Sequence, residues 1–169
     1  YKPEEIDRTL EFLAASVESS MGIEEGRADL TCLKKDLDAV LDIYADVLMH
    51  PAFAPDKVKL RRDEMLELLR RRNDDPGRAV VREALRSFYG PSHPYGWRNE
   101  TATLNSVTIE DLKACHANYY RPNNLIIAAA GDFGSDEELL GKLEARFGAW
   151  PRAEVKFPVI PTVLIKGER

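Results

Sequence analysis

An apolar stripe with the period of an α-helix is the feature that most constrains how this chain can fold. Apolar side chains recur every three or four residues between Leu33 and Met49, at Leu37, Val40, Leu41, Tyr44, Val47 and Leu48. Side chains at this spacing share one helical face, which must be buried against other elements. His50-Pro51 follows, and the residue before a proline avoids helical angles. The stripe therefore predicts a core helix that ends before Pro51.

Prolines and capping residues predict five more helices. Pro3, Pro55 and Pro76 suit first helical turns, and Asp74 or Asp75 can cap the helix that opens at Pro76. Ser and Thr followed three residues later by an acid form capping boxes. The predicted helices cover about residues 3–13, 55–72, 76–89, 108–119 and 135–147. The segment 90–106, which holds two prolines, is predicted to be an ordered loop.

Two patterns predict strands. Ala15–Met21 and Arg27–Leu33 flank a polar Gly-containing turn, and apolar and polar residues alternate in the second segment, which favours a β-hairpin with one solvated face. Leu125–Ala130 is a continuous apolar run that is too short for a free-standing helix and suits a buried strand. The order α β β α α α α β α places the chain in the α+β class.

Charge and composition exclude several classes of protein. The chain has 24 Lys and Arg against 29 Asp and Glu, with both signs interspersed, which argues against a nucleic-acid partner or an anionic membrane surface. No apolar run approaches the roughly 18 residues of a membrane span. Cys32 and Cys115 are too few for a disulfide framework and are interpreted as small core residues.

No self-contained catalytic or metal site is evident from the residues alone. His50, His93 and His116 have no second His or Cys at the spacing that places two metal ligands on one helical face. Glu64 and Glu67 are three residues apart on a predicted helix, and a solvated face explains them better than an acid–base pair. The basic run Arg70–Arg72 is interpreted in the same way, as a solvated last turn.

The predicted domain organisation is one partial α/β unit over residues 1–151, followed by a linker and the start of a further strand region over 152–169. Two prolines and no helical period mark Arg152–Pro161, and Val163-Leu164-Ile165 is expected to begin the strand. The opening at Tyr1 without an initiator Met suggests a piece of a longer protein, truncated at both ends.

Several segments together resemble the pitrilysin/insulinase family of zinc metallopeptidases, the inverzincins, which includes the mitochondrial and bacterial processing peptidases. The resemblance covers nearly the whole chain, and it rests on the order and spacing of individually weak pieces. These pieces are Glu5-Ile6, Leu10–Ala15, Leu37–Leu48, His50–Phe53, Arg70–Pro76, His93–Gly96, Ser106-Val107, Glu110–Leu112, Tyr119–Asn124 and Gly131–Phe133.

The resemblance implies an α+β unit in which helices pack on one face of a mainly antiparallel sheet. Two such units, fused or as a homo- or heterodimer, would enclose a chamber for unfolded peptide substrates. Family members bind zinc through H-x-x-E-H, whose Glu activates water, and through a distant Glu on a later helix. The motif does not occur in these 169 residues, so the resemblance implies zinc in the family and none held by this chain, and it leaves open whether a longer parent protein holds zinc.

The position of the distant Glu is the main departure from the family pattern. The resemblance places this ligand six residues before the first Asp of Asp74-Asp75-Pro76, with a second Glu seven residues earlier. Leu68 and Arg61 occupy those positions, and neither can supply a carboxylate. A shift of one residue would bring Glu67 to the ligand position but would turn it about 100° around the helix.

These departures favour a non-catalytic, peptide-binding subunit or half that encloses substrate for proteolysis, through a sheet edge that adds a substrate strand. The chain alone is expected to hydrolyse nothing. One alternative is a fragment of an active zinc endopeptidase whose metal motif lies upstream of Tyr1. A further alternative is a structural, core-type subunit on the same fold. Low cysteine use fits the bacterial cytoplasm and is compatible with the periplasm.

Overall fold

The computed structural model describes residues 3–163 of the 169-residue chain. Seven α-helices and one two-stranded antiparallel sheet occur in that range, together with three short 3₁₀ turns. In chain order the elements are α1 (Pro3–Phe12), β1 (Ser16–Met21), β2 (Gly26–Thr31), α2 (Leu37–Met49), α3 (Pro55–Arg70), α4 (Pro76–Tyr89), α5 (Thr101–Ser106), α6 (Ile109–Tyr119) and α7 (Asp136–Phe147). None of the described helices is long and apolar enough to cross a membrane.

The chain forms two compact units, each built from two stretches of sequence. The first unit comprises residues 1–52 and 115–155, and the second comprises residues 53–114 and 156–169. The first therefore holds the hairpin, α2 and α7, and the second holds α3, α4 and α5.

The core of the first unit is the predicted apolar face of α2. Val40, Leu41, Ile43, Ala45 and Leu48 are buried along this helix. Phe147, the last residue of α7, packs on Ala45 and Leu48, and its ring meets Tyr44 edge-on with centroids 6.4 Å apart. Burial of a side chain such as Ile43 or Phe147 contributes about 1.5–3 kcal/mol, so this contact holds α7 against α2.

Ion pairs reinforce the same helix pair at its surface. Arg146 donates from Nε to Asp42 Oδ1 at 2.7 Å and from Nη2 to Asp38 Oδ1 at 3.2 Å, and Lys142 also bonds Asp38. Hydrogen bonds from Lys142 and the positive charge of Arg146 hold the pKa of the Asp38 carboxyl below its usual range. These ion pairs, which we call the Asp38 clamp, join residues about one hundred positions apart in the sequence.

The hairpin lies beside α2. β1 and β2 pair antiparallel from Ser16 opposite Thr31 to Met21 opposite Gly26. The Tyr44 hydroxyl of α2 donates to the Ala28 carbonyl oxygen at 2.9 Å, which fixes β2 against the helix. Partial burial raises the pKa of the Tyr44 hydroxyl and keeps it protonated, as a donor must be.

In the second unit, arginine side chains bond backbone carbonyl oxygens. Arg62 of α3 donates to Val107 at 2.6 Å, and Arg72 donates to Asn99 at 3.0 Å. Arg86 of α4 donates to Gly96 at 3.3 Å. In each bond a charged guanidinium group donates to a carbonyl oxygen that has no hydrogen-bond partner within a helix. Together the three bonds attach the 94–107 region to α3 and α4.

The structure confirms the α+β class, the hairpin and the helices predicted over 3–13, 55–72, 76–89, 108–119 and 135–147 to within a few residues. The predicted capping box at Ser135 is present, with reciprocal bonds between Ser135 and Glu138. Asp75 is the residue that caps α4, because its side chain accepts from the Arg78 N–H at 3.1 Å.

Three sequence predictions are wrong. Cys115 is not a core residue, because it is exposed. The region 90–106 is not a loop throughout, because it contains a 3₁₀ turn at Pro94–Gly96 and the helix α5. Leu125–Ala130 is not a buried strand in the described residues: it joins no ladder there, and Ile126 is 94% exposed. An apolar run becomes a strand only when a neighbouring strand pairs with it, and no strand within residues 3–163 pairs with this run.

The predicted boundary between a partial peptidase unit (1–151) and a linker region (152–169) stays a prediction. Residues 151–161 contain no helix or strand, as a linker requires, and the Asn123 side chain holds them at Ala153 through two hydrogen bonds of 3.0 and 3.3 Å. The strand expected to begin at Val163 lies largely outside the described residues.

Replacing Phe147 should test the α2–α7 contact. We expect Phe147→Ala to lower the free energy of unfolding of the first unit by about 3–5 kcal/mol, because a cavity would open beneath α2. Urea unfolding followed by circular dichroism measures the loss. Leu140→Ala on the exposed side of the same helix is the control, with an expected change within about 0.5 kcal/mol. Equal losses in the two variants would contradict the assignment of Phe147 to the core.

The Asp38 clamp predicts a pH dependence with a definite sign. Because the folded-state pKa of Asp38 lies below its unfolded value, the folded state binds the proton more weakly and loses stability as the pH falls from about 5 to 2. Asp38→Asn should be less stable than the parent at pH 7 and should converge with it in acid. The free energy of unfolding in urea, determined for parent and variant at a series of pH values, measures this difference. Glu110→Gln is the control. A constant difference between parent and Asp38→Asn at every pH would refute the clamp.

Candidate functional site

The helix α3 carries the positions at which the sequence analysis expects the family's distant carboxylate. Pro55 occupies its first turn and Asp56 complements the positive helix end. Arg61 and Leu68 are seven residues apart, so they lie within about 20° of each other on one face of the helix. Glu67 lies about 100° away, as its position one residue before Leu68 requires.

The chemistry of that face is that of a solvated surface. Leu68 is 65% exposed and offers no donor atom. Arg61 Nη1 donates to Glu64 Oε2 at 2.9 Å, so the cation that stands at the earlier carboxylate position is paired within its own helix. Glu64 is half-exposed, as the interpretation of a solvated face predicts. The Glu64–Glu67 pair therefore has no dry environment of the kind that a general acid and base require.

Glu67 is engaged by the end of its own helix. Its two carboxylate oxygens accept from Arg70 at 3.2 Å and from Arg71 at 3.0 Å. These two bonds hold the pKa of the Glu67 carboxyl below its usual range, so it is an ionised acceptor whose oxygens already face guanidinium groups. A metal at Glu67 would have to displace both arginines. Glu67, which a one-residue shift would bring to the ligand position, therefore does not fit a zinc ligand.

Each of the three histidines has a local role. His50 caps the end of α2, with Nδ1 3.3 Å from Asp46 Oδ1. His116 on α6 places Nε2 2.8 Å from the Leu48 carbonyl oxygen and stacks on Tyr120. His93 is buried in the second unit. No group of three His, Cys, Asp or Glu side chains within residues 3–163 could hold a metal ion.

His93 organises a compact aromatic cluster after α4. Its ring stacks on Tyr89 at 4.8 Å and on Tyr95 at 5.4 Å, and its Nδ1 accepts from the Tyr95 N–H at 3.2 Å. The turn is tight: a β-carbon on Gly96 would lie 1.8 Å from the Gly90 carbonyl oxygen, so only glycine fits there. The segment His93–Gly96 therefore has a structural explanation in this chain.

The outer edge of β1 is a feature that the sequence analysis anticipated only in general terms. The Gly22 N–H donates to the Glu25 carbonyl oxygen at 2.8 Å, so these two residues form a hydrogen-bonded pair. This pair determines which residues of β1 and β2 exchange hydrogen bonds. By the alternation of an antiparallel pair, the backbone groups of Val17, Ser19 and Met21 then point away from β2. The Ala28 carbonyl, which accepts from Tyr44, points outward from β2 by the same rule.

The two strands therefore differ in what their outer edges can do. Tyr44 meets the β2 edge at Ala28, whereas β1 presents alternating N–H and C=O groups at three successive outward positions. Ser19 and Met21 are exposed and Val17 is half-buried. Such an edge can pair with an extended chain of any sequence. Sequence alternation locates the hairpin, but only the turn geometry tells which residues face outward.

Comparison with solved structures identifies the class of protein from its fold. A crystal structure of a protease from Helicobacter pylori superposes with a TM-score of 0.78 at 22% identity, over 98% of this chain and 40% of that one. The crystal structure of the first half of the periplasmic protease PqqL from Escherichia coli gives 0.76 at 19% identity, over 94% and 36%. The fold is thus one that occurs as part of larger proteases.

The sequence comparison gives the family. Residues 1–95 match the insulinase family, peptidase family M16, and residues 106–168 match the M16 inactive domain. The chain belongs to the M16 insulinase family. An uncharacterized zinc protease of Mycobacterium leprae is 34% identical over 120 residues, which are 69% of this chain and 26% of that protein. The chain spans about a quarter of the length of the curated relatives it matches with over 30% identity.

We predict that the 169-residue chain binds no zinc at one-to-one stoichiometry, because its potential ligands are dispersed and Glu67 is paired with two arginines. Equilibrium dialysis against micromolar zinc followed by metal analysis measures this. Glu67→Ala is the matched variant and should leave the zinc content unchanged. One tightly held zinc per chain that is lost in Glu67→Ala would show that Glu67 is a ligand after all.

Proposed function

We propose that this chain is the peptide-holding, non-catalytic part of an M16-family protease. It binds an extended segment of an unfolded peptide substrate while hydrolysis is carried out by zinc-binding residues that these 169 residues do not contain. The single observation that carries the proposal is the outward-facing backbone of β1 at Val17, Ser19 and Met21, in a family whose relatives are described as zinc proteases.

Binding at this edge explains how one surface can accept many substrates. A peptide strand laid along β1 would pair its backbone with the groups of three alternate residues, which span about 13 Å at the rise of a strand. Backbone pairing gives affinity that is largely independent of sequence, and the alternate side chains supply only modest preference. Most strands of a folded protein are already paired on both sides or protected at their edges, so binding favours unfolded segments.

The face of α3 supports the non-catalytic assignment. A zinc ligand or a water-activating base must offer an unpaired donor atom, and Leu68 offers none. Arg61 is committed to Glu64 and Glu67 to Arg70 and Arg71. Neither Glu64 nor Glu67 is therefore poised for chemistry of the family's kind.

A homologous peptidase unit is the partner that this function requires. The E. coli neighbour is described as the first half of a protease, so family members combine halves. In our proposal the catalytic residues belong to such a unit, fused to this chain or associated with it. The peptide held on β1 is then presented to a separate active centre.

An active zinc endopeptidase is the second candidate. It is favoured by the relatives described as zinc proteases, of which this chain spans about a quarter. In that case the metal motif lies in a longer polypeptide and a carboxylate other than those of α3 completes the site. Absence of zinc from the intact gene product would exclude this second candidate.

Substituting Ser19 tests the peptide site. Ser19→Pro removes one outward N–H and adds a ring to the outer edge of β1, a position where proline is compatible with an edge strand. We expect it to weaken binding of a fluorescein-labelled unfolded peptide at least about tenfold, which is what about 1.4 kcal/mol of lost pairing produces. Fluorescence anisotropy of the peptide measures the dissociation constant.

Ser19→Ala is the control at the same position, because it retains the N–H and should bind like the parent chain. Circular dichroism checks that both variants keep the parent's secondary structure. Equal peptide affinity in Ser19→Pro and Ser19→Ala would refute binding at the β1 edge.

A further inference from the structure

Glu18 lies at the middle of β1, on the face of the hairpin that points away from the core. Ala28, which is opposite Ser19 in the ladder, packs against the core of the first unit. Successive side chains of a strand point to opposite faces, so Glu18 and its cross-strand neighbour Asp29 point the other way. Both side chains are exposed to solvent.

Only one of these two carboxylates has a cationic partner. Arg27 donates from Nε to both Asp29 carboxylate oxygens at 2.8 Å, and its Nη2 lies 2.6 Å from Asp29 Oδ1. The Glu18 carboxylate has no hydrogen bond or ion pair with any side chain within residues 3–163. Arg27 is therefore committed to Asp29, and one negative charge stays unbalanced beside the outer edge of β1.

A peptide strand on β1 would bring one of its side chains directly beside Glu18. The backbone groups of Val17 and Ser19 point outward, so an antiparallel peptide exchanges hydrogen bonds with them, and Glu18 falls between these two hydrogen-bonded pairs. Residues in such a non-hydrogen-bonded pair have Cα atoms only about 4.5 Å apart, which brings their side chains closer together. The peptide side chain opposite Glu18 therefore lies on the exposed face, within reach of its carboxylate.

The charges at this position favour a basic side chain on the peptide. Lys and Arg offer a positive charge and N–H donors to the Glu18 carboxylate, whereas Asp or Glu would add a third carboxylate beside Glu18 and Asp29. Ser16 and Ser20, which share this face of β1, are small and neutral, so they neither block the contact nor compensate the charge. Because Glu18 is exposed, salt screens the attraction and the preference is moderate.

We propose that Glu18 is a specificity-determining residue of the peptide site on β1, and that it favours segments with a Lys or Arg at the position opposite it. This inference rests on the proposed function and deepens it. Backbone pairing at Val17, Ser19 and Met21 supplies most of the affinity, and Glu18 sets the charge preference. A segment with an acidic residue at that position binds more weakly, because like charges then lie directly opposite each other.

Three fluorescein-labelled peptides with blocked ends test this preference. They share one neutral, unfolded sequence of Ser and Thr and differ only at a central residue, which is Lys, Gln or Glu. We expect the parent chain to bind the Lys peptide at least about fivefold more tightly than the Glu peptide in fluorescence anisotropy at low salt, with the Gln peptide between them. Glu18→Gln should reduce this ratio to less than about twofold, and Glu18→Lys should invert it. Glu25→Gln removes the same charge from the turn of the hairpin and should keep the parent's preference.

The possible results distinguish the role of Glu18 from peptide binding itself. Equal affinity of the parent chain for all three peptides would overturn the role of Glu18 and leave binding at β1 intact. A Lys preference that persists in Glu18→Gln would also overturn it, and would assign the preference to the net negative charge of the chain. If the parent chain bound none of the peptides, the proposed function would fail, and the role of Glu18 would fail with it.

Discussion

Burial of the apolar face of α2 is the interaction on which the first unit depends. Ile43 and Val40 are fully enclosed, and Phe147 closes the core from the far end of α7. At the surface, the ion pairs that Arg146 and Lys142 make with α2 fix the register of α7 along that helix. With α2 fixed, Tyr44 can hold β2 at Ala28, and within residues 3–163 no other strand pairs with the outer edge of β1. The candidate peptide site is therefore a consequence of the core.

The second unit is organised on a different principle. Its elements are joined mainly by arginine side chains that donate to backbone carbonyl oxygens, and its apolar residues on α4 face outward. Such bonds define geometry well but bury little apolar area, so they contribute modestly to stability. The contrast is that Val81 and Phe88 of α4 are exposed, whereas the apolar face of α2 is buried.

Local signals in the sequence were sufficient to predict most of the elements. The stripe of α2, the proline at the start of α3 and the Ser135 capping box act within a few residues, so one sequence reveals them. Leu125–Ala130 was misassigned because pairing of a strand depends on distant residues, and α5 was missed because six residues carry almost no periodic signal. The roles of Arg61 and Leu68 could be anticipated only through the family resemblance. The outward residues of β1 required the turn geometry, which no pattern in the sequence specifies.

The central claim is that this chain holds an extended peptide without cleaving it. Amide hydrogen exchange measured by NMR, in the presence of an unfolded peptide, tests the claim most directly. The account predicts that the amides of Val17, Ser19 and Met21 become protected when the peptide is added, while the mass of the peptide stays unchanged. Unchanged exchange at these three amides, or cleavage of the peptide by the purified chain, would contradict it.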